Sequence, residues 1–87
     1  MPGAPTVSGM DLVGHERTPA LARLTERERE VLRRTARGET NAQIAAGLGV
    51  TVHAVKFHLG SVFRKLDVQN RTTAAAVYLA GAEESVA

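Results

Sequence analysis

No cysteine occurs in the chain, which removes disulfide frameworks, thiolate zinc sites and cysteine nucleophiles together. Aromatic residues are nearly as scarce: Phe57, Phe63 and Tyr78 are the only three. No apolar run approaches the roughly 18 residues a membrane-spanning helix needs, and no basic stretch followed by an apolar one opens the chain as a secretory signal. A cytoplasmic protein with no membrane partner is the expectation. The 87 residues suffice for one small domain. They leave little room for the deep pocket of most enzymes, which takes about 100 residues or more. Paired carboxylates beside a cleft are missing, as is a nucleophile with a neighbouring base, so no enzymatic role, no cofactor and no metal are expected. Net charge is low as well. At +2 it is too small to announce a nucleic-acid binder.

The distribution of that charge is more informative than its sum. In residues 1–23, Arg17 and Arg23 cancel Asp11 and Glu16. Residues 24–50 set five arginines against four glutamates, and residues 69–87 set Arg71 against Glu83 and Glu84. Between Thr51 and Leu66 stand Lys56, Arg64 and Lys65 with no acid among them. A basic excess gathered on one segment is the electrostatic footprint of a DNA reader, although an ordinary solvated helix face has the same composition.

Residues 1–23 hold all three prolines and three of the eight glycines without sustained periodicity, and read as a mobile leader or linker in which His15 is an exposed bystander. The pattern changes at Leu24. Thr25 with Glu28 forms a capping box that starts a helix, with Glu26 in its first turn and Arg34 and Arg37 in its last. Glu30 reaches Arg33 and Arg34 at helical spacing, and Leu24, Val31, Leu32 and Ala36 supply the inward face. This helix reads as scaffold, with Arg27 and Arg29 as candidate phosphate contacts. Gly38 stops it. Thr40 with Gln43 repeats the box and opens a short helix with Ile44, Ala45 and Leu48 inward, closed by Gly47-Leu48-Gly49. Thr51 caps a third helix running to about Leu66, and Asn70 caps a fourth running from Arg71 to about Ala82. With no strand candidate, the fold class is all-α: four helices over residues 24–82, then a tail at 83–87.

On the third helix Val52, Val55, Leu59, Val62, Phe63 and Leu66 fall within a sector of about 100°, the stripe expected to face the core. His53, Lys56, Phe57, Gly60, Ser61 and Arg64 occupy the opposite side. Phe57 lies about 160° around the helix from Leu59, where folding alone has no use for an aromatic ring. An exposed Phe in a basic face can pack on thymine methyl groups in a major groove, or on a partner protein or the leader. Gly60 costs roughly 1 kcal/mol against alanine in mid-helix; it either lets the backbone approach DNA closely or is a neutral choice. His58 flanks the core stripe and reads as a packed, hydrogen-bonded core histidine. A short helix, a turn at Gly49 and a longer basic helix make a helix-turn-helix at about residues 41–60, whose second helix would enter the major groove. Thr40, Asn41 and the free backbone N–H groups of the short helix would face a phosphate, or simply cap the helix.

These residues resemble the LuxR-type (NarL/FixJ, GerE) DNA-binding domain. The matching stretches are Leu24 to Leu32, Gly38 with Thr40-Asn41 and Ile44-Ala45, then Leu48, Val50, Val55-Lys56, His58, Lys65-Leu66, Val68, Arg71 and Ala74-Ala75. The resemblance spans residues 24–80 or so. It implies a four-helix effector domain that binds double-stranded promoter DNA as a homodimer and regulates transcription, where RNA polymerase is a further partner. Carried over by position, Lys56, Phe57 and Gly60 fall where side chains contact bases, with His53 beside them on the same face. Thr40, Asn41, Thr51, Arg64 and Lys65 fall at or near backbone-contacting positions, and Ser61 joins them from the outward face. The sequence departs from the family at Ala54, where threonine is common, and at Gly60, which cannot read a base edge. Both departures bear on the target site and not on the fold.

The fourth helix is apolar or small nearly all round from Thr72 to Ala80, so a face remains after the core is covered. A symmetric dimer through Ala74, Val77, Tyr78 and Gly81 is the expectation, with an alanine-rich monomer as the alternative. Two other functions suit parts of the pattern: a sigma-factor-like promoter-reading domain, and a module that heterodimerises with a larger regulator. No receiver, autoinducer-binding or ATPase domain fits in residues 1–23, so a stand-alone regulator or the effector end of a larger one is expected.

Overall fold

The computed structural model describes residues 20–86, with side chains for residues 20–81. The expected leader up to Pro19, with His15, lies outside the described residues. Four α-helices follow a 3₁₀ turn at Ala20–Arg23: α1 (Glu26–Ala36), α2 (Asn41–Leu48), α3 (Val52–Leu66) and α4 (Arg71–Val86). Among the described residues there is no strand, and no helix is long and apolar enough to cross a membrane.

The caps explain why the helices start where they do. Thr25 Oγ1 accepts from the Glu28 amide at 3.0 Å and Glu28 Oε1 accepts from the Thr25 amide at 2.9 Å. Thr40 and Gln43 repeat the reciprocal pair at 3.1 and 2.8 Å. Thr51 Oγ1 takes the Ala54 amide and Asn70 Oδ1 the Thr73 amide. Each bond satisfies an amide that the first turn leaves without a partner. The connection from α2 to α3 is tight because Gly49 adopts the left-handed conformation, φ 71°, while the Val50 amide bonds back to the Ala45 carbonyl at 3.0 Å.

Two apolar clusters hold the helices together. Val31, Ile44, Ala45, Val55 and Leu59 seat the α2–α3 pair on α1, with Leu48 and Val50 at the margin. Leu24, Leu32, Val62 and Ala74 join α1, α3 and α4, flanked by Leu21, Leu66, Val68 and Tyr78. Phe63 packs against both. Full burial of a side chain of this size contributes roughly 1.5–3 kcal/mol, so the helix-turn-helix is held rigidly against α1.

The helix bounds and the core depart from the sequence reading in several places. The 3₁₀ turn at Ala20–Arg23 falls inside the expected leader, and its Leu21 packs on the second cluster. Helix α4 continues past Ala82 to Val86, since alanine and glutamate propagate a helix and residues 82–86 hold no glycine or proline. Val52, assigned to the core stripe, is exposed at the start of α3. Glu28 and Thr35 are buried on α1, while Ala36 is only half-buried.

Thr35 Oγ1 is the one buried side-chain polar atom without a hydrogen-bond partner among the described residues. An unpaired buried hydroxyl costs about 1–3 kcal/mol, and valine has the same shape without it. Thr35→Val is therefore expected to raise the urea midpoint, by roughly 1 kcal/mol of unfolding free energy; a lowered midpoint would show that the hydroxyl has a partner in solution.

Candidate nucleic-acid interface

Helix α3 presents one side to the core through Val55, Leu59 and Val62 and leaves the other open. His53, Lys56 and Phe57 are exposed on the open side, with Gly60 half-buried between Lys56 and Arg64. Phe57 is 65% exposed, the most exposed large apolar side chain among the described residues. Its ring meets the edge of His58, centroids 5.7 Å apart at 71°, which steadies an aromatic that has no place in the core. His58 is half-buried in this contact and makes no hydrogen bond to a described residue, so it is not the hydrogen-bonded core histidine expected from its position. A Cβ added at Gly60 would meet only Arg64 Nη1, at an ordinary 3.7 Å. Nothing inside the domain requires glycine there.

The cations separate into paired and free groups. Arg33 and Arg34 both bind Glu30, and Arg34 also reaches Glu39. The hydrogen bonds from Arg33 and then Arg34 hold the Glu30 carboxyl down at about 2, so this pair of arginines is neutralised locally. Lys56 and Arg64 have no acidic partner among the described residues. Among the described residues no acid offsets these two cations on the open side of α3.

Lys65 and Ser61, both expected at the DNA backbone, make contacts within the domain. Lys65 Nζ lies 2.8 Å from Glu28 Oε1, across 37 positions of sequence, and pairs with that carboxylate from a partly exposed side chain. Burial pushes the Glu28 carboxyl up, but Lys65 and the Thr25 amide outweigh it and hold the group below the ordinary carboxylate range. Arg23 completes the arrangement by donating to the Lys65 carbonyl at 3.2 Å. Ser61 is buried, with its hydroxyl accepting from Arg64 Nη2 at 3.0 Å, so the Arg64 guanidinium covers it and meets solvent in its place.

At the start of α2, Thr40 is exposed and Asn41 half-buried, with Thr51 exposed at the start of α3. The residue that organises this corner is Arg71. Its Nη1 donates to Asn41 Oδ1 at 2.6 Å and its Nη2 to the Glu39 carbonyl at 2.9 Å. Arg71 matched the family pattern, but no local spacing in the sequence assigned it a contact, because its partners lie about thirty residues upstream.

The residues assigned to a dimer face divide sharply. Ala74 is 0% exposed, packed among Leu24, Leu32 and Val62, and has no surface to offer a partner. Gly81 faces inward as well: a Cβ there would come within 2.6 Å of Leu21 Cδ1, so the glycine lets the 3₁₀ turn close onto α4. Val77 and Tyr78 are half-buried. The open side of α4 carries Thr72, Ala76 and Leu79, the last 52% exposed.

Comparison with known proteins agrees with this architecture. The family described as bacterial regulatory proteins, luxR family (GerE), matches residues 22–78. The chain is 44% identical over 70 residues to a probable transcriptional regulatory protein, SgaR, of Hyphomicrobium methylovorum, covering 80% of this chain and 32% of that one. It is 52% identical over 52 residues to the transcriptional activator protein AnoR of Acinetobacter nosocomialis, covering 60% of this chain and 22% of that one. It is 39% identical over 69 residues to the nitrate/nitrite response regulator protein NarP of Escherichia coli K12, covering 79% and 32%. The chain spans about a third or less of the length of these relatives. With the helix-turn-helix seated on α1, the basic side of α3 left open and the family match spanning α1 to α3 and the first half of α4, the chain belongs to the luxR family of bacterial regulatory proteins.

Proposed function

We propose that this chain binds double-stranded promoter DNA, inserts α3 into the major groove and regulates transcription as a homodimer. The observation that carries the reading is the open side of α3, where Lys56 and Arg64 have no acidic partner among the described residues around a 65%-exposed Phe57. Lys56 and Phe57 are the base-reading side chains, with His53 beside them and Gly60 allowing the backbone close to the groove floor. Arg64, Thr51, Thr40 and Asn41 contact the phosphates that set the register. Two copies joined through Thr72, Ala76 and Leu79 of α4 would present paired recognition helices to a two-fold related site. RNA polymerase is the downstream partner of such a regulator.

Selection of bound sites from random DNA tests this directly, with a two-fold symmetric consensus as the expected result. On that consensus, Lys56→Ala is expected to weaken binding by roughly 1–3 kcal/mol, and to weaken binding to random DNA much less. Equal losses on both would remove Lys56 from base reading. Arg64→Ala is expected to lower affinity evenly and to reduce the salt slope by about one. A chain that shifts no DNA and captures a larger regulator would favour the heterodimerising module instead.

A further inference from the structure

We propose that Arg71 is a positioning residue for DNA binding: through its hydrogen bond to Asn41 Oδ1 it turns the Asn41 amide so that the Nδ2 donor faces a phosphate at the start of α2. The inference rests on the proposed DNA-binding reading and adds to it a residue that itself need not touch DNA.

An asparagine amide has an acceptor end and a donor end of nearly the same shape, and an unguided Asn41 could present either to a ligand. The carbonyl end would repel a phosphate and the amino end would bind it. A guanidinium resolves the ambiguity because it carries donors only. Arg71 Nη1 at 2.6 Å from the Asn41 side chain therefore claims the oxygen. The Nδ2 group makes no hydrogen bond to another described residue and is left for an incoming acceptor. The second prong of the fork, Nη2 on the Glu39 carbonyl at 2.9 Å, fixes the guanidinium plane against the segment that leads into α2.

The guanidinium is itself well placed. Asn70 caps α4 through the Thr73 amide at 2.9 Å, so Arg71 leaves the first turn of a helix whose start is defined. Ala74, one turn further on, anchors that helix in the core. Neither acceptor of Arg71 is an acid and no acid pairs with it among the described residues, so its positive charge adds to the positive end of α2. Rigid α4, a two-pronged guanidinium and an oriented amide form one chain of contacts from the core to the phosphate-facing corner.

The decisive experiment is a double-mutant cycle on the selected DNA site with Arg71→Lys, Asn41→Ala and the pair. Lysine keeps the charge and loses the fork. Arg71→Lys is expected to weaken binding roughly three- to tenfold in the parent chain and by much less in the Asn41→Ala background. A full loss in both backgrounds would mean that Arg71 touches DNA itself, which overturns the proposal. In the free protein, the Asn41 side-chain amide is expected to show an ordered heteronuclear NOE that collapses in Arg71→Lys; an unchanged NOE also overturns it. Asn41→Asp supplies a complementary test, because Arg71 still holds the side chain while the outward atom becomes an anionic oxygen. Its melting temperature should be held or raised, and its DNA affinity should fall by about tenfold or more. An unchanged affinity would refute the donor role. A parent chain that binds no DNA at all would instead defeat the reading on which the inference rests.

Discussion

Replacing Lys65 with methionine is expected to cost the domain about 2 kcal/mol at neutral pH and to weaken the way its stability responds to acid. The change removes the ammonium that lies 2.8 Å from Glu28 Oε1 and leaves the carboxylate, in a residue 6% exposed, with only the Thr25 amide. Breaking a fully buried pair in this way costs about 3–5 kcal/mol. The Lys65 side chain is 38% exposed, so solvent already screens part of the attraction and the lower figure applies. Two kilocalories would still be a large share of what a core of this size supplies, which is rarely more than about 3–5 kcal/mol.

The acid response separates loss of the pair from loss of packing. In the parent chain Glu28 sits below the ordinary carboxylate range. Its contribution is present above the unfolded value near about 4.3 and is lost as pH falls through the lower folded value. Without Lys65, burial is the largest influence and acts upward, with only Thr25 opposing it. The folded value then rises toward the unfolded one, and the loss of stability in acid that Glu28 causes shrinks with it. Glu30, held at about 2 by Arg33 and Arg34, is common to both proteins and cancels in the difference. Urea titrations between about pH 3 and 7 are expected to give curves that converge in acid. Parallel curves would mean that Lys65 acts through its aliphatic stem and not its charge.

Glu28 also shows where a sequence can be read and where it cannot. Its pairing with Thr25 was legible because both partners lie within one helical turn, and the Thr40–Gln43 box and the Glu30–Arg33–Arg34 cluster were legible for the same reason. Its pairing with Lys65 spans 37 positions, and that of Arg71 with Asn41 spans 30, so no local spacing encodes either. Helical periodicity located the open side of α3 and picked out Phe57 as a ring without a core role. It placed Ser61 wrongly, because an angle on a helix does not say that a neighbouring Arg64 folds over the hydroxyl. For α4 the same method had little to work with. A helix that is small or apolar on every side has no angular contrast, so which alanine faces the core is decided by the helices it meets.

That ambiguity makes α4 the place where one substitution can be taken for another, and a pair of charge insertions resolves it. Ala74→Glu is expected to unfold the chain. Residue 74 has no exposed surface and touches Leu24, Leu32 and Val62, so the longer side chain must either displace that cluster or bury an unpaired carboxylate. Either costs about 4 kcal/mol or more, which exceeds the reserve of so small a domain. Leu79→Glu places the same charge on the same helix, at a side chain that is 52% exposed. Its cost should stay within about 0.5 kcal/mol, as for most surface changes, leaving the circular dichroism of the parent. If α4 joins two copies through Thr72, Ala76 and Leu79, this variant should still bind a half-site and should lose the advantage of the two-fold site. Sedimentation on a duplex carrying both half-sites would then show one chain bound where the parent shows two. Two Leu79→Glu chains on that duplex, at the parent affinity, would move the dimer contact off this face of α4. A folded Ala74→Glu chain would show that the second core cluster is not where the packing of α4 places it.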